Sequence, residues 1–317
     1  MRILITGAAG FIGQILAEQL LADPLHTLIL TDIIEPPIPR SAKHPQNAKC
    51  IKADLFDASS SVVTADLDAV YVFHGIMSSG SEANFDLGMR VNVDATRALI
   101  DTLRHTCPGV RVIYASSGAV YGHPLPAVLT ESVLPTPESS YGVEKMMGEF
   151  LINEYTRRGF INGFSLRFPT ISVRPGKPTA AASSFLSGMV REPLAGKECV
   201  IPIKDRSWKH WLCSPRTLVW NLVHMLGVPG DALPRHFRSV NVPGFQVSVQ
   251  DMIDALERVG GKEAVALLRE EEEPETKRIL MSWADNYDNT LAIKLGMKQD
   301  SNFEQNIRDY IEDVREA

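Results

Sequence analysis

The sequence predicts an α/β fold, a Rossmann-type doubly wound parallel sheet with a smaller, interleaved C-terminal domain. Three observations carry this. Through the first half of the chain, short β-rich runs alternate with helical patterns, the rhythm of a parallel sheet with helices on both faces. Most of those runs are continuously apolar rather than alternating, as expected for strands covered on both sides. After residue 167 the rhythm breaks, and Pro169, Pro175, Pro178, Pro193 and Pro202 mark a loop-rich stretch.

Taken in order, the predicted strands are Arg2–Thr6, Thr27–Asp32, Lys49–Asp54, Ala69–His74, Arg111–Ser116 and Phe164–Phe168. Between the first two, Ile12, Ile15, Leu16 and Leu20 fall at helical spacing. Longer helices are predicted over Asn84–His105 and Tyr141–Arg158. Within the proline-rich stretch one short helix is expected near Ser183–Arg191. A helix near Pro215–Leu226 and a strand near Ser239–Val242 would return to the main sheet. Ser248 has the character of an N-cap, followed by Met252, Ile253, Leu256 and Val259 on one helical face. Glu270–Glu273 is most simply a solvated acidic face. The expected organisation is a dinucleotide-binding domain over 1–167, rejoined by 215–243, and a small substrate domain from 168–214 and 244–317. There is no internal repeat.

Composition excludes several classes. A chain of 317 residues, 44% hydrophobic and 22% charged, is an ordinary soluble globular protein with room for a sizeable core. Its net charge of −6 argues against a general nucleic-acid binder, which would present a basic face. Cys50, Cys107, Cys199 and Cys213 are scattered without a Cys-x-x-Cys pair, which suits buried thiols in a reducing compartment. The eight histidines show no ligand spacing, so no metal is expected. No apolar run reaches the roughly 18 residues of a membrane span, and Met1–Ile5 already reads as a strand rather than a leader. The expected location is the cytoplasm.

The segment Thr6-Gly7-Ala8-Ala9-Gly10-Phe11-Ile12-Gly13 joins the first strand to the first helix. Glycine is needed where the chain turns tightly and backbone approaches a pyrophosphate, which the helix N-terminus then receives on unpaired N–H groups. Gly13 lets the helix sit near the sheet. The spacing is Gly-x-x-Gly-x-x-Gly, and its place between strand and helix is what makes it informative. Asp32 ends the second strand about twenty residues on; a carboxylate there accepts hydrogen bonds from ribose hydroxyls and repels a 2′-phosphate. No basic residue follows it closely, so NAD is favoured over NADP. Asp54, with Leu55 beside it, is a candidate for the adenine end, and equally suits a strand-end turn. His74 and Gly75 follow the fourth strand and are further cofactor candidates.

Ser117 follows the fifth strand, and twenty-four residues later comes Tyr141-Gly142-Val143-Glu144-Lys145. On a helix Tyr141 and Lys145 share a face. An ammonium beside a phenol would pull the tyrosine below its usual value of about 10, so Tyr141 could remove an alcohol proton while Ser117 holds the substrate oxygen. Asn92 is a fourth candidate, holding a water or supporting the lysine, with structural capping as the alternative.

These motifs together resemble the extended short-chain dehydrogenase/reductase superfamily, the NAD-dependent epimerases, dehydratases and sugar-acid dehydrogenases. The resemblance covers nearly the whole chain. It implies a smaller C-terminal substrate domain, Pro169 and Thr170 bordering the nicotinamide, and a homodimer through the two long helices, here 84–105 and 141–158. One departure is His74-Gly75-Ile76-Met77 where many members have His-Leu-Ala-Ala. Dehydratases carry Asp-Glu after the hydroxyl residue; here Gly118-Ala119 stand there and cannot do acid–base work. Lys209–Arg216 departs at most positions from the epimerases' Arg-Asp-Tyr-Ile-His-Val segment, although Lys209 or Arg216 could still contact phosphate.

A closer resemblance is to the D-erythronate 2-dehydrogenase branch. It rests on Phe85–Asn92, Arg174–Pro178, Ala181–Phe185, Arg191–Gly196 and Trp211–Arg216. The implied reaction is oxidation of the C2 hydroxyl of a small sugar acid to a 2-oxo acid, with NAD taking the hydride. Related uronate dehydrogenases hold the substrate carboxylate with an arginine shortly after the sixth strand, where Arg174 stands; a surface salt bridge is its alternative role. Ser78 and Ser79, read as loop residues, could bond substrate hydroxyls or be ordinary loop. Three other functions are weighed: NADH-dependent reduction of a secondary-metabolite ketone, nucleotide-sugar 4-epimerisation, and a non-catalytic nucleotide-sensing or scaffold role, against which the intact Ser117, Tyr141 and Lys145 stand.

Overall fold

The computed structural model describes residues 1–177 and 182–316; Pro178 and Ala181, which belong to the stretches that carry the resemblance, lie outside the described residues. In chain order the strands are β1 (Arg2–Thr6), β2 (Thr27–Asp32), β3 (Ala48–Lys52), β4 (Ala69–Val72), β5 (Arg111–Ser117) and β6 (Asn162–Phe168). They continue with β7 (Thr170–Ile171), β8 (Cys199–Ile201), β9 (Lys209–Cys213), β10 (Ser239–Asn241), β11 (Phe245–Ser248) and β12 (Leu268–Glu270). The chain forms two compact units.

The first unit contains 1–120, 135–168 and 219–240. Its seven-stranded sheet runs β10-β6-β5-β4-β1-β2-β3, and β1 pairs in parallel with both β2 and β4. Strand order therefore reverses between β1 and β4, the switch point at which open α/β sheets leave a crevice beyond the strand ends. The strands are apolar because both faces are covered: Ile3, Leu4, Ile5, Val70, Val72, Val112 and Ile113 are fully buried. Helix α1 (Phe11–Leu20) follows β1 and buries Gly13, Leu16, Ala17 and Leu20.

The helix expected over 84–105 is present, from its N-cap at Asn84 to Thr106, with a π-helical turn inside it. Helix α2 (Leu55–Ala58) follows β3, and after β4 come α3 (Ser78–Ala83) and α4 (Phe85–Gly88), a π-helical turn over Met89–Asp94, and α5 (Ala95–Thr106). Asn84, at φ −144°, ends α3, and its side chain caps α4 by accepting from Leu87 N at 3.1 Å. Ser78 and Ser79 thus open a helix rather than lie in a loop. The wide turn at 89–94 buries Asn92 and Val93; such bulges redirect a side chain that a regular helix would place elsewhere. Helix α6 (Ser140–Arg157) starts from Ser139, which accepts from Gly142 N at 3.1 Å.

The second unit contains 121–134, 169–218 and 241–317. The segment 121–134, placed above with the first domain, pairs here instead. Leu129 exchanges backbone hydrogen bonds with Asn286 and Asp288, and the Tyr121 hydroxyl donates to Asn241 Oδ1 at 2.9 Å. A three-stranded sheet, β11-β9-β7, and a two-stranded one, β12-β8, support the unit. Helix α7 (Ser184–Leu194) extends beyond the expected Arg191 and takes Pro193 into its last turn. Helix α8 (Pro215–His224) leads back toward β10 in the chain. In α9 (Val249–Val265) the cap at Ser248 is a full capping box with Asp251. Its Met252, Ile253 and Leu256 join Phe185, Met189, Val190, Leu212 and Val247 in the core of this unit. Glu270 is not simply solvated, since it accepts from Arg206 Nε at 2.6 Å. Among the described residues no helix is long and apolar enough to cross a membrane.

Candidate active site

The loop after β1 turns at Gly7, whose φ is +65° and where a Cβ would lie 2.5 Å from Phe73 C and 2.6 Å from His74 N. Only glycine allows the backbone to pass the end of β4 this closely. Gly10 is the N-cap of α1 and offers no side-chain cap, so the first N–H groups at Phe11, Ile12 and Gly13 are left to receive an anion. Asp32, half-buried at the end of β2, faces this loop. Its Oδ2 accepts from Ala9 N at 3.0 Å and its Oδ1 from Ile33 N at 2.7 Å.

Asp54 is held differently. It caps α2 by accepting from Phe56 N at 3.0 Å, and its other oxygen accepts from Arg90 Nη2 at 3.0 Å. The capping alternative describes its contacts, and Leu55 is buried as the first residue of the helix it caps.

Beyond β4, both nitrogens of the His74 ring lie against threonine hydroxyls, Nδ1 2.9 Å from Thr6 Oγ1 and Nε2 3.3 Å from Thr96 Oγ1. Burial first, then the Lys145 charge, push His74 down to about 3, so this ring is neutral at ordinary pH. A Cβ on the next residue, Gly75, would lie 2.9 Å from Asn92 Oδ1 and 3.6 Å from Lys145 Nζ. Backbone, amide and ammonium therefore converge on one point at the switch.

Ser117 closes β5; its hydroxyl accepts from Ala119 N at 3.1 Å and acts on the Tyr141 phenol, favouring its charged form. What brings them together is Gly142, because a side chain there would strike the Ala119 carbonyl and come within 2.8 Å of Pro137 Cβ. Lys145, one turn after Tyr141, is buried; its ammonium donates to Ala115 O at 2.9 Å and lies 5.5 Å from the Tyr141 ring centre. Burial pushes Lys145 down to about 8. It also pushes Tyr141 up to about 12, aided by the Glu144 charge and opposed by the Ser117 bond. The expected lowering of the phenol is thus not found in the unliganded protein: desolvation of a buried phenolate outweighs its favourable contacts.

The helix bearing Tyr141 and Lys145 is anchored one turn further on. Glu149, fully buried, accepts from Arg167 at 2.9 and 2.7 Å, from Ser116 at 2.5 Å and from Ser239 at 2.6 Å. That network ties α6 to β5, β6 and β10. Asn92 reaches the site from the π turn, where its Oδ1 accepts from Ile76 N at 2.8 Å and its Nδ2 donates to Ile76 O at 3.0 Å. Ser78 and Ser79 are exposed on the first turn of α3.

Three of the predicted site residues lie at or beyond the end of β6, in the second unit. Pro169 immediately precedes β7. The Thr170 hydroxyl lies 2.7 Å from His210 Nε2, and that ring stacks on Trp208. Arg174 is half-buried. Its backbone N donates to Ser187 and its backbone O accepts from Arg191 Nη1, while among the described residues no carboxylate pairs with its guanidinium. Burial and then Arg191 hold it below the usual arginine range. Arg216, by contrast, is ringed by Asp309, Glu312 and Asp313 at 2.7–3.0 Å, so its donors are already committed and a phosphate would have to displace them. Among the described residues no cluster of three potential metal ligands occurs.

Two residues went unnoticed in the sequence. Glu144 is buried and accepts from Asn92 Nδ2 at 2.5 Å and Ser81 Oγ at 2.8 Å. A glutamate in a helix ordinarily marks a solvent face, and a lone serine carries no pattern, so no local signal pointed to either.

Residues 3–213 match the model of the NAD dependent epimerase/dehydratase family. The chain is 39% identical to a D-erythronate dehydrogenase of Haemophilus influenzae, covering 98% of this chain and 99% of the relative. It is 42% identical to a D-erythronate dehydrogenase of Cupriavidus necator, covering 99% of each. Among solved structures it superimposes on one described as a nucleoside-diphosphate-sugar epimerase from Agrobacterium tumefaciens, with a TM-score of 0.93 and 37% identity, over 99% of this chain and 94% of that one.

Proposed function

Since the chain belongs to the NAD dependent epimerase/dehydratase family, we propose that it is a dehydrogenase that oxidises the C2 hydroxyl of a small sugar acid of the D-erythronate type to the 2-oxo acid. The observation that carries this is full-length similarity, at 39% and 42% identity, to two D-erythronate dehydrogenases. It extends through the second unit, which carries Arg174.

Its cofactor is NAD. The uncapped start of α1, the side-chain-free backbone at Gly7 and the Asp32 carboxylate suit a pyrophosphate and a ribose diol. Gly75, Asn92 and Lys145 would line the nicotinamide end, with Pro169 and Thr170 as further contacts. When bound, NAD supplies the hydride acceptor and a positive charge. Ser117 holds the substrate hydroxyl by a hydrogen bond. Tyr141 accepts the hydroxyl proton as the carbinol C–H bond breaks, and Lys145 stabilises the phenolate during that transfer. Arg174, a desolvated guanidinium with no carboxylate partner among the described residues, grips the substrate carboxylate through two parallel hydrogen bonds.

The protein acts as a homodimer in this reading. Val143, Met147 and Phe150 form an exposed apolar stripe on α6, and Phe85 and Leu87 are exposed on α4; apolar residues exposed together on one helix face are what a partner subunit would cover.

Similarity to the structure described as a sugar-nucleotide epimerase favours a second reading, 4-epimerisation, against which the committed Arg216 stands. One assay separates the two. Four- to six-carbon aldonates and uronates are supplied with NAD and NADH absorbance is followed, with nucleotide sugars screened in parallel for epimer formation. NADH formation with aldonates is expected. Turnover of nucleotide sugars alone would overturn the proposal.

A further inference from the structure

We propose that Glu144 is a positioning residue of this site: held by Asn92 and Ser81, its carboxylate is the fixed counter-charge for the Lys145 ammonium. The inference rests on the reading of Lys145 as the partner of Tyr141.

The geometry is specific. Glu144 is 1% and Lys145 4% exposed, adjacent on α6. One carboxylate oxygen, Oε2, takes both donors, Asn92 Nδ2 at 2.5 Å and Ser81 Oγ at 2.8 Å. The other, Oε1, is buried with no hydrogen-bond partner among the described residues and fits only because residue 88 is glycine; a Cβ there would strike it. A carboxylate is rarely left half-satisfied in the interior unless a charge compensates it. The groups facing Lys145 come from four directions. Tyr141 and Glu144 lie on its own helix, the Ala115 carbonyl and the Tyr114 ring at 5.0 Å on β5, neutral His74 after β4, and Asn92 through their shared approach to Gly75. Of these only Glu144 can bring a negative charge, which opposes the lowering that burial imposes on the lysine.

Asn92 thereby gains a definite part. Its Oδ1 and one N–H clamp the backbone of Ile76, and its other N–H fixes Glu144. The π turn that buries Asn92 is thus coupled to the charge of Lys145 through Glu144.

The test needs no substrate, so it can fail independently of the sugar-acid assignment. Protein carrying 13Cε-lysine is titrated by NMR, with the Lys145 signal assigned by its loss in Lys145→Met. In Glu144→Gln the amide oxygen can still accept from Asn92 and Ser81 while the charge is gone. The Lys145 midpoint should move to lower pH than in the unaltered protein. An unchanged or raised midpoint would overturn the proposal and leave Glu144 a hydrogen-bonding anchor. Should Glu144→Gln fail to fold, the unaltered protein labelled at glutamate 13Cδ decides. The Glu144 signal is expected to inflect as Lys145 loses its proton near pH 8, and a flat signal there would refute the coupling.

Discussion

Replacing Arg167 by Met tests whether the buried network under α6 is what holds that helix against the sheet. The Arg167 and Glu149 side chains are 4% and 0% exposed, and they meet through two parallel hydrogen bonds, Nε to Oε1 at 2.9 Å and Nη2 to Oε2 at 2.7 Å. Methionine fills much of the space but leaves the carboxylate buried without its cation. Breaking a buried pair from one side costs roughly 3–5 kcal/mol. Here Ser116 and Ser239 still donate to Glu149 at 2.5 and 2.6 Å, which places the loss at the lower end, about 3 kcal/mol, roughly two powers of ten in the folding equilibrium. Urea unfolding followed by circular dichroism reads this as a fall in midpoint at constant slope. The double substitution Arg167→Met with Glu149→Gln removes the stranded charge and should recover at least half of the loss. A single-substitution loss below about 1 kcal/mol, or no recovery in the double variant, would show that the ion pair is not what anchors α6.

Tyr141→Phe removes the proposed proton acceptor but keeps the ring, so turnover should fall by roughly 10²–10⁴-fold while cofactor affinity, followed by NADH fluorescence, stays near its starting value; near-normal turnover would contradict the acid–base role. Asp32→Asn keeps an acceptor for Ala9 N but loses the charge. It should weaken NAD and raise the relative efficiency with NADP, and an unaltered ratio of kcat/KM for the two cofactors would count against a ribose contact. Arg174→Ala should lower kcat/KM for the acid by roughly one to two powers of ten, since a charge-assisted contact is worth about 1.5–3 kcal/mol. The amide of the same acid is the control, and equal losses on both would make Arg174 structural.

Much of the fold was legible because its rules are local. Strands β1 and β2 follow their sequence bounds to the residue, since apolar runs between turn residues leave no other place for their ends. The glycine spacing located the tight turn after β1, where a backbone angle and a missing side chain are properties of single residues. Tyr141 and Lys145 stand one turn apart on α6, so helical periodicity alone put them on a common face. The Ser248 cap was visible for the same reason, the partners lying three residues apart.

What escaped depends on contacts between residues far apart in the chain. The π turn at 89–94 has no repeat to announce it, nor has the short helix α3 that precedes Asn84. Spacing also gave no sign that Asp54 meets Arg90, thirty-six residues away. Nor could spacing foresee that burial would raise Tyr141 instead of lowering it, because desolvation is set by everything packed around a phenol. The residues 121–134 left the first unit for backbone partners near 286–288. Sequence by itself determined the α/β class, the glycine turn after β1 and the Tyr-x-x-x-Lys face, for these are conditions on neighbouring residues. Tertiary structure alone decided that Glu144, which reads as a solvent-facing helix residue, is buried and held by Asn92 and Ser81, because burial exists only once distant segments have met.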